Sequence, residues 1–292
     1  MRSNRACSKP QAELVRLFVE RSGVGSPHKS AEQVMEDLVE MARGSRTRSR
    51  EGFLQRFLDS RHIISIDFAD DLNCDGMIQP IGSTFTSGFR IRLKKNVSDA
   101  RTRFTMAHEA CHTFFYEFAP EMKFRPHETD ESEERLCNFG AAVLLIPSAS
   151  LRARTKELPI CLDSLEQLAR EYTVSLPTML LRLRALRLWG CELSSWYRTT
   201  GGGFVLDRLY GGHRAEWKWQ DPSMLARVWN SNESAFGTGF LYVEHENGTR
   251  AYRPIPYNIQ RSGAGLVALW GAGVRPVTPR QPLFEATTLR RA

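Results

Sequence analysis

The stretch FTMAHEACHTFF, residues 104–115, contains two histidines four positions apart, with a glutamate directly after the first. On a helix, residues four apart lie on one face, one turn above the other. His108 and His112 can therefore offer ring nitrogens to the same ion, and Glu109 completes the H-E-x-x-H pattern of zinc hydrolases. The alternative is an amphipathic helix whose histidines are satisfied by carboxylates.

The residues around the histidines favour a metal site. Phe104, Ala107 and Cys111 make the helix apolar on both sides of the imidazoles. Two polar rings on a buried helix need a compensating partner, and one zinc ion accepts imidazole nitrogens at about 2.0–2.1 Å. A zinc hydrolase also needs a third protein ligand while one position stays open.

The segment TDESEERLCNFGAAVLLI, residues 129–146, predicts a second helix that is acidic at its start and apolar later. Glu134 is the best third ligand, because it lies at the boundary where a half-buried carboxylate needs a cation. Asn138 follows one turn later and is expected to orient the surroundings of that ligand. Other candidates for the third ligand remain, namely His127, Glu128, Asp130, Glu131 and Glu133.

Three stretches with period-two alternation precede the histidine helix and predict strands: IISIDF (63–68), GMIQPI (76–81) and TSGFRIRL (86–93). In zinc peptidases an edge strand commonly pairs with the backbone of the substrate. The third strand is our candidate for this role, and an ordinary core strand fits its pattern equally well. The residues concerned are Gly88, Phe89, Arg90 and Ile91.

Bulk composition is that of a globular protein with room for two domains. The 292 residues are 41% hydrophobic and 25% charged. A net charge of +7 permits contact with nucleic acid without requiring it.

Targeting and cysteine signals predict a cytoplasmic protein without a membrane partner. No apolar run reaches the roughly 20 residues of a membrane span, and the start MRSNRACSKP has no apolar signal region. Six cysteines without a CxxC pair predict reduced thiols rather than a disulfide framework or a zinc knuckle.

The texture of the chain changes along its length. Amphipathic segments come first, and alternating stretches rich in Gly, Trp and Tyr follow position 190. We therefore expect an N-terminal helical segment (1–60), a domain with the histidine helix (61–190) that ends in a helical pair (162–189), a β-rich C-terminal domain (191–273) and a flexible tail (274–292).

The stretches SDARTRFTMAHEACHTFF (98–115) and EERLCNFGAAVLLIP (133–147) together resemble the ImmA/IrrE family of metallo-endopeptidases. The resemblance covers about residues 60–190. It implies an α+β fold with a zincin-like core, formed by a small sheet, the H-E-x-x-H helix and the following helices. It also implies one zinc ion bound by His108, His112 and Glu134, with Glu109 as the general base of peptide-bond hydrolysis.

The chain departs from the pattern of this family in two places, at one dipeptide and at one single residue. Ala110 and Cys111 replace the usual Leu-Gly between the glutamate and the second histidine, and Gly140 stands where an aromatic residue is expected. Neither change touches a ligand. We expect Cys111 to point into the core, away from the imidazoles.

Family members often cleave a regulatory DNA-binding protein during stress or mobile-element induction. The resemblance thus implies a protein substrate, a repressor-like or antitoxin-like regulator. Acyl-transfer chemistry usually also needs a group that stabilises the oxyanion. The candidates are Tyr116, Tyr172 and His245.

Other functions fit parts of the sequence. The helical pair has the cadence of a helix-turn-helix with Arg182, Arg184 and Arg187, which would make the protein a DNA-binding or metal-sensing transcriptional regulator without peptidase activity, or allow weak DNA contact. In the C-terminal region, four tryptophans fit either a ligand pocket or a β core, namely Trp217, Trp219, Trp229 and Trp270.

Overall fold

The computed structural model describes most of the chain: residues 9–24, 28–44, 51–82, 87–118, 120, 131–211, 216–219, 221, 223–244 and 250–276. Contacts divide it into two compact units. The first unit comprises Met1–Glu157 and Leu165–Leu188, and the second comprises Leu158–Ser164 and Trp189–Ala292. The N-terminal helices therefore belong to the same unit as the histidine helix.

The described helices, in chain order, are α1 (Lys9–Arg21), α2 (Ala31–Arg43), α3 (Glu51–Ser60), α4 (Asp99–Phe118), α5 (Glu131–Leu145), α6 (Ser148–Thr155), α7 (Leu162–Tyr172), α8 (Leu176–Ala185) and α9 (Ser223–Ser231). The strands are β1 (Ile63–Ala69), β2 (Gly76–Pro80), β3 (Phe89–Lys94), β4 (Glu192–Arg198), β5 (Phe204–Tyr210), β6 (Glu216–Trp219), β7 (Ala235–Glu244), β8 (Arg250–Ser262) and β9 (Gly265–Trp270). This mixture of helices and sheets confirms the expected α+β class.

A three-stranded sheet in the order β1-β3-β2 lies beside the histidine helix in the first unit. Strand β3 pairs parallel with β1 and antiparallel with β2. Its alternate residues Phe89, Ile91 and Leu93 are buried, as expected when one face of a strand meets the core. Helix α4 packs against β2 and β3, so the sheet fixes the position of the two histidines.

The N-terminal helices complete the core around α4 and α5. Phe18 of α1 stacks on Phe115 of α4 with ring centroids 4.8 Å apart. Helix α2 packs against α5, and its Glu36 accepts a hydrogen bond from Arg182 of α8 at 2.8 Å. The Arg182 side chain is only 2% exposed and also donates to the carbonyl of Ile146.

Three local features differ from the sequence prediction. Helices α3 and α6 were not predicted as separate elements. The predicted helix over 176–189 ends at Ala185, because Arg187 adopts a left-handed conformation with φ of 55°. Non-glycine residues rarely adopt this conformation within a helix.

The second unit is built on a six-stranded sheet in the order β5-β4-β9-β8-β7-β6. All its pairs are antiparallel. Helix α9 contributes to an apolar cluster with one face of this sheet. Trp219 and Trp270 lie in that cluster with ring centroids 4.5 Å apart, so both serve as β core.

Two tryptophans of this cluster, Trp196 and Trp270, donate indole N–H hydrogen bonds to the hydroxyl of Ser194, each at 2.8 Å. Its hydroxyl donates to the carbonyl of Ala268 at 3.4 Å. Ser194 is fully buried, and its polar atoms are satisfied within the protein.

Two predictions fall outside the described residues, namely the function of the Trp217 side chain and most of the proposed tail, residues 277–292. Across the described helices, no single one combines the length and the hydropathy needed to cross a membrane.

Candidate metal centre

Helix α4 brings the two histidines together as its periodicity predicts. The rings of His108 and His112 lie with centroids 4.8 Å apart, and their Nε2 atoms are 3.1 Å apart. Both imidazoles are largely shielded from solvent, and His112 is 7% exposed. Two neutral rings cannot both present lone pairs at this distance without repulsion, so the pair requires a proton or a cation between its nitrogens.

Glu134 of α5 supplies a third donor group. Its Oε2 lies 3.2 Å from Nε2 of His108, and its Oε1 lies 3.6 Å from Nε2 of His112. In a tetrahedral zinc site with bonds of about 2.0–2.1 Å, neighbouring ligand atoms are about 3.3–3.4 Å apart. The three observed separations, which involve both carboxylate oxygens of Glu134, lie near this value. The donor set therefore fits one divalent ion.

The approach of α5 to α4 depends on Gly140 and Cys111, which both depart from the family pattern. A Cβ atom added to Gly140 would lie 2.8 Å from Sγ of Cys111 and 3.0 Å from Sδ of Met35. The thiol at 111 thus fills the space that a larger residue at 140 would need. Burial raises the pKa of Cys111 to about 12, more than nearby Arg61 lowers it, so this residue is a neutral core side chain.

Glu109 lies beside the histidines and is buried, with 7% exposure. Burial raises the pKa of its carboxyl group, and the neighbouring imidazoles of His112 and His108 oppose this shift. The carboxylate also accepts a hydrogen bond from the backbone N–H of Ile78 in β2. A carboxyl group with a raised pKa is a stronger base than an ordinary glutamate, which suits proton abstraction.

Strand β2 approaches Glu109 closely because it begins with a glycine. A Cβ atom on Gly76 would lie 2.5 Å from Cγ2 of Thr105 and 3.2 Å from Oε1 of Glu109. Any side chain at this position would displace the strand or the carboxylate. Gly76 therefore permits the contact between β2 and the histidine helix.

Glu133 makes a contact with His112 that the sequence did not predict. Its Oε1 lies 2.5 Å from Nδ1 of His112, on the opposite side of the ring from Glu134. The sequence indicates Glu133 only as an alternative ligand. Adjacent helical residues point about 100° apart. The consecutive glutamates 133 and 134 could therefore have indicated that two carboxylates reach two sides of one imidazole.

Glu133 and Cys137 also form a second group of metal-ligating atoms with His112. The short separation between His112 and Glu133 is that of a direct hydrogen bond. It leaves no room for an ion between these two atoms. We therefore interpret Glu133 as a hydrogen-bond partner of His112 and not as part of a second metal site.

His108 has different neighbours from His112. Burial lowers the pKa of its imidazole, but hydrogen bonds to Glu134 and Asn138 and the charge of Glu109 outweigh burial, so the pKa is raised. Asn138 thus lies beside a histidine, at the mouth of the cleft. Its expected influence on the surroundings of Glu134 stays a prediction.

The candidate ligands line an open cleft of about 570 Å³. Apart from the candidate ligands, Glu109 and Asn138, the cleft is lined by the loop and strand ahead of the histidine helix and by three side chains of α4. They are Cys74, Asp75, Gly76, Met77 and Ile78 on one side, with Phe104, Thr105 and Tyr116 on the other.

The proposed substrate strand requires a correction. The stretch from Gly88 to Ile91 leads into β3, which lies between β1 and β2 and is hydrogen-bonded on both sides. A strand paired on both edges cannot accept a further peptide strand. The strand that lines the cleft and ends the sheet order is β2. Alternation in the sequence identifies strands but not their order in the sheet, which explains the wrong choice.

The three oxyanion candidates have different positions. Tyr116 lines the cleft, and its ring centroid is 5.2 Å from that of Phe89. Tyr172 is 3% exposed, its hydroxyl is hydrogen-bonded to Ser150 at 2.7 Å, and it is not among the residues lining this cleft. His245 lies outside the described residues, as does the alternative ligand His127.

The arginines of the helical pair are not free to act together on DNA. Helices α7 and α8 do follow each other closely, but Arg182 is buried and forms an ion pair with Glu36. A phosphate-binding arginine must reach the surface. Arg182 therefore has a structural function in α8.

Comparison with known proteins finds one family model that matches the part of the chain with the candidate ligands. Residues 77–184 match the family model Peptidase_M78, the IrrE N-terminal-like domain. The match contains the histidine helix and the helix with Glu134, and it confirms the resemblance and the zincin-like core. No curated protein matches the chain. A solved structure of a Mycobacterium tuberculosis transcriptional regulator is similar over 90% of this chain and 80% of that chain, with 14% identity and a TM-score of 0.49.

Proposed function

We propose that this chain, whose residues 77–184 match the IrrE N-terminal-like peptidase domain, is a zinc-dependent endopeptidase. One observation carries the proposal. His108, His112 and Glu134 converge with the spacing of a tetrahedral ligand set, and the buried Glu109 faces the same cleft. A set of two imidazoles and one carboxylate is the ligand set of zinc peptidases.

Zinc bound by these residues would supply Lewis-acid chemistry, polarising a carbonyl group and lowering the pKa of a water molecule. The protein's own groups supply the remaining functions. Glu109, with its raised pKa and its hydrogen bond from Ile78, takes the proton from the attacking water and delivers it to the leaving amine. Tyr116 is the oxyanion candidate that lines the cleft.

Strand β2 is the proposed binding site for the substrate backbone. Among the described strands it pairs only with β3, so the backbone groups of its other edge, apart from the Ile78 N–H that donates to Glu109, would bind an extended peptide. This edge lines the cleft beside Glu109. An extended segment bound there would place a peptide bond near the general base.

A matched pair of variants tests the catalytic function. Glu109→Gln keeps the shape of the side chain and removes the base, so cleavage should fall by at least about 100-fold while the metal content stays at the wild-type level. Glu131→Gln removes an exposed carboxylate from the start of α5 and should leave cleavage unchanged. Metal analysis of both proteins accompanies the cleavage assay. Equal cleavage by wild type and Glu109→Gln would show that the protein is not this enzyme.

The proposed substrate is a regulatory protein, a DNA-binding repressor or an antitoxin-like regulator, cleaved in a stress or mobile-element response in the cytoplasm. The family resemblance supports this substrate class, and the open cleft can admit an extended chain. Proteins encoded beside this chain are the first substrates to test. A specific fragment pattern that disappears with Glu109→Gln would identify the substrate.

The competing function is a transcriptional regulator that senses metal or binds DNA without cleavage. The burial of Arg182 disfavours DNA binding through α8. A regulator of this kind would keep its cellular effect in the Glu109→Gln variant. The peptidase would lose the effect in the same variant, so one substitution separates the two functions.

A further inference from the structure

The two histidines of the candidate centre differ in what holds the ring nitrogen that faces away from Glu134. Nδ1 of His112 is hydrogen-bonded to Glu133 at 2.5 Å. Nδ1 of His108 is buried and has no hydrogen-bond partner among the described residues. Although the H-E-x-x-H pattern treats the two histidines alike, the structure gives only one of them a carboxylate behind the ring.

The contact with Glu133 selects one form of the His112 ring. Glu133 is 6% exposed, and an ionised carboxylate can only accept hydrogen bonds. With Glu133 ionised, Nδ1 carries the proton and donates a hydrogen bond to Oε1. In the neutral ring this leaves the lone pair on Nε2, the atom that faces His108 and Glu134.

Helix geometry places the two carboxylates on opposite sides of this ring. Glu133 and Glu134 are consecutive residues in the first turn of α5, and consecutive side chains on a helix diverge by about 100°. One therefore reaches Nδ1 and the other approaches Nε2. His112 is clamped between two carboxylates, whereas His108 meets Glu134 and Asn138.

We propose that Glu133 is a positioning residue for the metal, acting through His112. It holds the imidazole in the tautomer and orientation that direct Nε2 into the ligand set, so that His112 is the rigid ligand of the pair and His108 the adaptable one. The inference rests on the proposed metal centre and adds a residue that the H-E-x-x-H motif does not contain. Outer carboxylates of this kind raise the basicity of a ligating histidine and fix its direction.

Glu133→Gln is the decisive variant. Glutamine keeps the length of the side chain but is a neutral and weaker acceptor, so zinc affinity should fall about 10–100-fold. Glu131→Gln removes a negative charge from the same turn at an exposed position and should change affinity by less than about twofold, because solvent and salt screen it. Affinity is measured by competition with a chromophoric zinc chelator, which requires no peptidase activity.

A spectroscopic measurement separates positioning from general stabilisation. In the zinc-loaded wild type, nitrogen-edited NMR should show a strongly hydrogen-bonded proton on Nδ1 of His112. In Glu133→Gln this resonance should move or disappear, while the thermal stability of the metal-free protein stays close to that of the wild type. The absorption bands of the cobalt-substituted variant should shift as well, because the ligand field depends on the direction of the imidazole.

Each outcome has one meaning. Zinc affinity of Glu133→Gln within twofold of the wild type would overturn the positioning function and leave the proposed peptidase intact. Loss of cleavage by Glu109→Gln without any change for Glu133→Gln would overturn the positioning function in the same way. A wild type that binds no zinc would overturn the metal centre and this inference together. If Glu133→Gln does not fold, Glu133→Asp decides by the same twofold criterion, because it keeps the charge but withdraws it from Nδ1.

Discussion

The two units of this protein each bury a cluster of polar groups, and the clusters differ in how they are satisfied. In the second unit, Ser194 accepts two indole hydrogen bonds and donates to a carbonyl. These groups around Ser194 all have neutral partners within the protein. In the first unit, two imidazole nitrogens 3.1 Å apart face the carboxylate of Glu134. The ligand atoms of this cluster, two imidazole nitrogens and a carboxylate oxygen, surround one point at which a metal ion would bind.

This difference shows how a structural polar cluster can be told from a site for an ion. A self-contained network is complete when its donors and acceptors are paired. A ligand set places several acceptors around one volume, which is unfavourable until a cation occupies it. Four substitutions test this distinction.

Removing the carboxylate of the first cluster should abolish tight metal binding. Glu134→Ala leaves two imidazole donors of the proposed three, so zinc affinity should fall by more than about 100-fold, beyond the 10–100-fold typical of losing an outer partner. Equilibrium dialysis with metal analysis measures the effect. If Glu134→Ala still bound one equivalent of zinc with unchanged affinity, the first cluster would not be the proposed metal site.

Removing the shared acceptor of the second cluster should destabilise the fold without any effect on metal binding. Ser194→Ala leaves two buried indole N–H groups unpaired, at a cost of about 2–4 kcal/mol in unfolding free energy. Urea unfolding of the second unit measures the cost. The control is Ser195→Ala, whose hydroxyl bonds to Asp207 at the surface, and it should stay within about 0.5 kcal/mol of the wild type. A small effect at position 194 would show that this network is not required.

A side chain at the start of β2 should disturb catalysis more than metal binding. In Gly76→Ala the new Cβ would meet Thr105 and Glu109, and a shift of about 1 Å at a catalytic group can reduce rate substantially. We expect kcat/KM to fall about tenfold at unchanged zinc content. Gly190→Ala is the control, because a Cβ there meets nothing within 4 Å. Equal activity of both variants would argue against the close approach of β2 to Glu109.

The packing behind the ligand set should show energetic coupling of about 1 kcal/mol. Gly140→Ala places a Cβ against the thiol of Cys111 and should be destabilising in the wild type through overpacking. In the Cys111→Ala background the sulfur is absent, and the same change should be tolerated. A double-mutant cycle from urea unfolding gives the coupling. Strict additivity would show that Met35, rather than the thiol, limits the space at position 140.

The sequence predicted local features of the centre well. Spacing along one helix identified His108, Glu109 and His112 as neighbours, because helical periodicity is fixed by the backbone. Glu134 followed from the change between acidic and apolar residues in the next helix, and the structure places it beside both imidazoles. These inferences needed only the arrangement of residues within one or two helices.

Features that depend on long-range pairing could not be predicted in the same way. Alternation identified β2 and β3 as strands, but the central position of β3 depends on β1 and β2 pairing along both of its sides. The contact of Glu133 with His112 depends on the rotation of α5 about its own axis, which its packing partners set. Helix α3 was not singled out, although Phe53, Leu54, Phe57 and Leu58 have helical spacing.

The ion pair of Glu36 with the buried Arg182 has a consequence for where the part that matches the family model can be cut from the chain. The family match begins at residue 77, yet the guanidinium of Arg182, inside the match, is neutralised by a helix that precedes it. A fragment limited to the matched residues would lose both the carboxylate that pairs with this guanidinium and the helix that packs against α5. The smallest self-sufficient fragment must therefore begin ahead of α2, and the boundary of homology is not a boundary of folding.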